Sequence, residues 1–235
     1  MRLLKLAFSK ETAMPMLALT FGSGVSVTLV IARVVWTGRL HYAFLIWNLF
    51  LAWLPLIFSL LAWEKYRTGS VRSWHFAGLT GAWLLFFPNA PYICTDLIHL
   101  TTRYFSHFWV DLVLVLSCAL TGLVVGFLSL FLMQSIVTRA LGRMAGWCFI
   151  ALVAGLSSFG IYLGRFMRFN SWDVVFQPLK LYHGIGDWAS ASLANTASFA
   201  FPVLFSAFLF ITYVMLYGLT HLQPSQLLSG QESEV

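Results

Sequence analysis

The sequence predicts an all-α fold, a polytopic transmembrane helix bundle of about six spans. Three observations carry this. Of the 235 residues, 60% are hydrophobic and only 9% are charged, where a soluble domain carries roughly 25% charged residues. Mean hydropathy is +0.83, and lipid is the solvent that satisfies such a surface. The apolar residues also fall into runs of about 20, the length an α-helix needs to cross the hydrocarbon of a bilayer. The net charge of +6 is scattered between these runs. It therefore reads as a topology signal rather than a nucleic-acid patch, and the tryptophans read as interfacial belt and core.

The first run, about 14–35, follows the basic segment Met1–Lys10. It is too long for a signal-peptide core and lacks a small-residue cleavage site, so an uncleaved span is expected. The second, about 42–63, holds Asn48 and Pro55. The third, about 74–93, meets Pro88-Asn89-Ala90-Pro91 after the apolar stretch Trp74–Phe87. Proline removes a backbone donor and disfavours helix in the residue before it, so a broken third span is expected, its break near Pro88 and close to a membrane surface. Beyond Pro91, Asp96, His99 and Arg103 fall at i, i+3 and i+7 on one helix face, joined by Thr95, with Ile93, Leu97 and Leu100 opposite. This predicts a short amphipathic helix that lies at the surface or re-enters the membrane. Spans four to six run about 109–135, 144–164 and 192–219. Gly122 with Gly126, and Gly160 with Gly164, suit close packing of spans four and five. Cys94, Cys118 and Cys148 match no zinc spacing and read as packing residues. The tail 223–235 is polar and expected to be disordered.

Basic residues set the orientation. With the N-terminus inside, Arg2, Lys5, Lys10, Lys65, Arg67, Arg72, Arg139 and Arg143 lie inside, against Arg33, Arg39, Arg103, Arg165, Arg168 and Lys180 outside. The first segment usually dominates, and both termini are expected to be cytoplasmic.

Two polar clusters stand out. One runs from Asn89 through Tyr92, Thr95 and Asp96 to His99. The other holds Arg165 and Arg168, three apart and so on one helix face, then Asn170, Ser171 as an N-cap, and Asp173 in the first turn of a following helix. Spans three and five run in the same direction, so both clusters emerge at one face whichever way the chain is inserted. Asn48 lies in the half of span two nearest that face. An ionised residue at the bilayer centre costs about 2.5–3.5 kcal/mol on insertion scales. Asp96, Arg165, Arg168 and Asp173 therefore belong at the boundary or in a wet cavity, where acids and arginines can pair.

The stretch Asn48–Pro55, the Pro-Asn-Ala-Pro-Tyr segment with Thr95-Asp96 and His99, Trp109 with Asp111, and Gly164-Arg165 through Asn170-Ser171-Trp172-Asp173 resemble the bacterial membrane family known as domain of unknown function 1361. The resemblance covers about residues 42–218. It implies a multi-span protein of a bacterial inner membrane and no particular reaction.

Three functional readings are open. In the first, the chain is an enzyme acting at the outer face on a lipid or polyprenyl-phosphate-linked substrate. Asp96 and His99 are then the candidate catalytic pair, and Arg165 and Arg168 grip phosphate. Asn48, Asn89, Tyr92, Asn170 and Asp173 complete the candidate substrate-binding set. In the second, the broken helix belongs to a transporter or lipid-translocating protein. In the third, the clusters are a structural network closing one end of a partner subunit. The Asp-x-x-His spacing also suits two metal ligands completed by Asp111, Asp173 or His183, but such pairs arise readily by chance and no metal is assigned. No phosphate-binding loop, nucleophile elbow or His-Glu-x-x-His occurs, and no cofactor is indicated. The expected partners are membrane lipids, anionic or polyprenyl-phosphate; nucleic acid is not one of them.

Overall fold

The computed structural model describes residues 13–69, 74–100, 107–171, 173–194 and 197–220. Arg103, Arg72, the basic N-terminal segment and the tail 223–235 lie outside the described residues. The helices are α1 (Ala13–Thr37), α2 (Phe44–Arg67), α3 (Trp74–Phe86), α4 (Asn89–Tyr92), a 3-10 helix (Ile93–Leu100), α5 (Phe108–Leu141), α6 (Arg143–Met167), α7 (Asp173–Phe176), α8 (Pro178–Ala194) and α9 (Ala197–Thr220). No strand occurs among the described residues.

Among the described residues, five helices are long and apolar enough to cross a membrane: α1, α2, α5, α6 and, within α9, Phe199–Thr220. α3 has 13 residues and so spans only about 20 Å of a ~30 Å hydrocarbon core. The remaining crossing is made in series by α3, α4 and the 3-10 helix, which gives the expected bundle of about six spans with a broken third. α8 was not anticipated from the sequence, and the last span begins at Ala197 rather than 192. The segment Pro178–Ala194 mixes Lys180, His183 and Asp187 with small residues, which hid its helix from a hydropathy reading.

The crossings alternate between two ends of the bundle, named here for their turn glycines Gly38 and Gly142. At the Gly142 end, Arg139 lies over the Trp63 ring at 4.8 Å and Trp147 meets Tyr217 at 5.1 Å. At the Gly38 end, Arg33 meets Asp111, and Phe166 meets Phe201 at 5.2 Å. The start of α1 and the end of α9 therefore share the Gly142 end. Gly142 itself, at φ 94°, makes the single-residue link between α5 and α6, in a conformation that a side chain would strain.

The break sits deeper than the sequence suggested. Trp83 Nε1 donates to Ser129 Oγ at 3.2 Å. A Cβ on Gly126 would meet Ala90 Cβ at 2.7 Å, and one on Gly122 would meet Ile93 Cδ1 at 2.8 Å. Gly122 and Gly126 lie 11 and 15 residues beyond Asp111 in α5, or about 17–22 Å along the axis. The chain thus breaks at mid-depth, not near a surface. Such backbone survives in a membrane because it is enclosed by protein. The small-residue pairs explain how: a Cβ on Gly160 would meet the Pro88 ring at 3.3 Å, and one on Gly164 would meet the Tyr92 ring at 3.4 Å. Both glycine pairs seat the broken segment; they do not bring α5 and α6 together as the sequence reading expected.

The core forms around these contacts, with Trp83, Phe87, Phe127 and Met133 in one cluster and Leu45, Ala52, Ala90 and Ile93 in another. Large apolar side chains such as Phe21, Val35, Leu120 and Leu204 stay exposed around the outside, which suits contact with hydrocarbon.

Candidate functional site

The 3-10 helix completes the third crossing instead of lying at the surface or re-entering: it packs along α5 and rises from mid-depth toward the Gly38 end. At three residues per turn, positions i and i+3 eclipse, so Asp96 and His99 stand one above the other as the spacing implied. Ile93 falls on that same face rather than opposite. Ile93, Asp96 and Leu100 are buried, and Ile98 faces outward.

Asp96 is 1% exposed and held from two sides. Asn48 Nδ2, from the first turns of α2, donates to its Oδ2 at 2.9 Å. Arg165 Nη2, from the last turn of α6, donates to its Oδ1. The rest of the Arg165 guanidinium is also engaged. Its Nε and Nη2 reach Thr95 Oγ1 at 3.0 and 2.6 Å, and Nη1 meets His99 Nε2 at 3.3 Å. The guanidinium carbon lies 4.6 Å from the Tyr92 ring centre, a cation–π contact. Thr95 Oγ1 in turn donates to the Tyr92 carbonyl at 2.7 Å. If Arg165 donates to His99 Nε2, the His99 proton sits on Nδ1. His99 Nε2 is 3.8 Å from Asp96 Oδ1, and its side chain is 41% exposed. The two clusters of the sequence therefore meet in one network, with an acid and a base compensating each other inside the bundle.

Arg168 does not join it. α6 ends at Met167, and Arg168 takes a left-handed conformation at φ 59°. This breaks the helical register that would have put it on the Arg165 face. Its side chain instead lines a cavity of about 710 Å³ between α2, the broken passage and α6. Asn48, Asn89, Tyr92, Asn170 and Ser171 supply the other polar groups of the wall, and Leu84, Leu85, Ile161, Val174 and Leu181 are among the apolar ones. Among the described residues Arg168 has no hydrogen-bond or ion-pair partner, and it is exposed. Asp96, His99 and Arg165 are not on this wall. Asn48 and Tyr92 touch both the network and the cavity.

Asp173 also lies off the wall. Its Oδ2 accepts from the Asn170 N–H at 2.7 Å, and its own N–H donates to the Asn170 carbonyl at 3.0 Å. This is the reciprocal arm of a capping box, so Asn170 occupies the cap position expected of Ser171. Ser171 instead accepts from Asn89 Nδ2 at 3.1 Å, tying the break to the loop after α6.

Sequence reasoning missed two pairs. Arg33 and Asp111 form a two-point ion pair, Nε to Oδ1 at 2.6 Å and Nη2 to Oδ2 at 3.2 Å. The parity that united the two clusters also places these residues at one end, and would have suggested the pair. Tyr213 donates to Gln134 at 2.5 Å, deep between α9 and α5; the lone amide late in span four was its only signal. With Asp111 on Arg33 and Asp173 on Asn170, neither completes a metal set with Asp96 and His99. Among the described residues no three His, Cys, Asp or Glu side chains converge on such a site.

A family model described as a protein of unknown function (DUF1361) matches residues 47–220. No curated protein and no solved structure matches the chain. The matched stretch runs from the first turn of α2 to the last residue of α9 and takes in the whole network and cavity, so the chain belongs to the DUF1361 family.

Proposed function

We propose that this membrane protein binds an anionic amphiphile, a lipid phosphate or polyprenyl phosphate, in the cavity beside the broken helix. The observation that carries this is Arg168, a cation without a partner among the described residues, on a wall otherwise made of neutral polar and apolar groups. A guanidinium fork matches phosphate oxygens, and the leucine and valine side chains accept hydrocarbon. Acid–base catalysis needs a titratable group within hydrogen-bond reach of the ligand. Asp96 is spent on Asn48 and Arg165, and His99 is off the wall, so binding is favoured over the enzymatic reading and Arg165 acts as a brace. A second reading, lipid translocation, is supported by the break itself: discontinuous helices at mid-depth line substrate sites in transporters, and Pro88 and Asn89 line this cavity.

The balance of basic residues favours a cytoplasmic Gly142 end, with both termini, in a bacterial inner membrane. The cavity then lies in the outer half of the bilayer. A membrane-impermeant thiol reagent added outside should label a cysteine at Arg39 and spare one at Gly69; the reverse pattern overturns this orientation.

The binding reading is tested by native mass spectrometry of the gently purified protein. The wild type should retain a phosphate-bearing lipid that Arg168→Ala loses while staying folded. Equal retention by both sinks the reading.

A further inference from the structure

Two amides on the cavity wall have their orientation fixed by what their nitrogens donate to, Asn48 through one of its two N–H groups and Asn89 through both. Asn48 Nδ2 donates to Asp96 Oδ2 at 2.9 Å. Asn89 Nδ2 donates to the Phe86 carbonyl at 2.9 Å and to Ser171 Oγ at 3.1 Å. A carboxylate held against an arginine and a backbone carbonyl can only accept, so each amide is locked with its nitrogen on the protein. Among the described residues, Asn48 Oδ1 and Asn89 Oδ1 then have no hydrogen-bond partner, and neither oxygen is sealed in the interior. Both residues line the cavity, at the N-terminal ends of α2 and α4.

Two acceptors call for donors on the ligand. A phosphate diester carries acceptors only, and a monoester keeps at most one P–OH donor, partly ionised at neutral pH, so a bare phosphate serves the two oxygens poorly. An ammonium group is poorly served, because the wall holds no carboxylate and already carries the Arg168 guanidinium. Neutral hydroxyls fit. The volume agrees: about 710 Å³ falls within the roughly 300–1,000 Å³ of pockets that enclose drug-sized ligands, well beyond one phosphate.

We propose that the cavity recognises a hydroxylated phosphate ester, a polyol or sugar phosphate, with Arg168 on the phosphate and the side-chain oxygens of Asn48 and Asn89 accepting from its hydroxyls. This rests on the phosphate reading above and names the headgroup. Asn48 and Asn89 are the specificity residues, and Arg168 supplies affinity for any phosphate.

The test is competition in lipid nanodiscs between phosphatidylglycerol or phosphatidylinositol and phosphatidic acid, whose phosphate bears no polyol. The wild type should prefer the hydroxylated lipids by about tenfold, the scale of one or two neutral hydrogen bonds. Asn89→Leu should lose most of that preference; Asn48 is left in place because it also holds Asp96. Arg168→Ala should weaken all three lipids together. Equal wild-type affinity for all three, with Arg168 dependence intact, overturns the hydroxyl inference and leaves the phosphate reading standing; this comparison decides even where Asn89→Leu does not fold. Binding that ignores Arg168 overturns both. Displacement by glycerol 3-phosphate at millimolar concentration supports the same recognition with a soluble ester as its source, and resistance to it supports a lipid source.

Discussion

Asp96 and Arg165 neutralise each other inside the bundle, and each holds the other's solvation. Asp96 is 1% exposed and Arg165 14%, so neither can recover water when its partner is removed. Cutting one member of such a pair typically costs about 3–5 kcal/mol, while replacing both with apolar groups of similar size is often neutral. Arg165→Met alone should therefore lower the thermal midpoint in detergent markedly, and Asp96→Leu with Arg165→Met should recover most of the loss. A double variant as unstable as the single one would place the damage in packing instead. Much of this network was legible in the sequence. The Asp96–His99 spacing, the lone Asn48 in an apolar helix and the shared direction of spans three and five already placed these residues at one face, though not in contact. Arg168 was not legible, because its divergence from Arg165 depends on a left-handed residue at a helix end, which no hydropathy period encodes. Nor was the exchange of cap roles between Asn170 and Ser171, since Asn89 draws Ser171 away through a contact 82 positions distant in sequence.

Among the elements, the broken passage is the one that shapes the site. Pro88 and Pro91 end the regular helix, but its seat is made by glycines on two other helices. A methyl group on Gly126 would stand 2.7 Å from Ala90 Cβ, whereas one on Gly155, in α6, meets nothing within 4 Å. Overpacking a tight contact typically costs about 1–3 kcal/mol, and alanine is favoured over glycine in a helix interior by about 0.5–1 kcal/mol. Gly126→Ala should thus lower the thermal midpoint, and Gly155→Ala should leave it unchanged or raise it slightly. Equal effects would show that the break is not clamped where the structure places it. The prolines made the break readable from sequence. Its depth was not, because depth depends on which residues of α5 face Ala90, and the glycine pairs did not name their partner.

Across the whole molecule, two polar tiers lie within an apolar bundle near one end. The Arg33–Asp111 pair closes α1 onto α5, and deeper lies the Asn48–Asp96–Arg165 network. Beside the deeper tier, the broken passage leaves a cavity whose cation has no partner among the described residues. The fold class was readable because lipid demands long apolar runs. The cavity was not, because it is a space left where helices part, and its wall joins residues from 47 to 181. The central claim is that this space, and not the lipid-facing exterior, holds the phosphate-bearing ligand. The most direct test is photo-crosslinking with a diazirine-bearing phosphatidic acid, mapped by peptide mass spectrometry. Label should concentrate on the cavity wall, at Leu84, Leu85, Ile161 and Val174, and fall away in Arg168→Ala. Label spread over Phe21, Val35 and Leu120 on the outer surface, unchanged by that substitution, would contradict the claim.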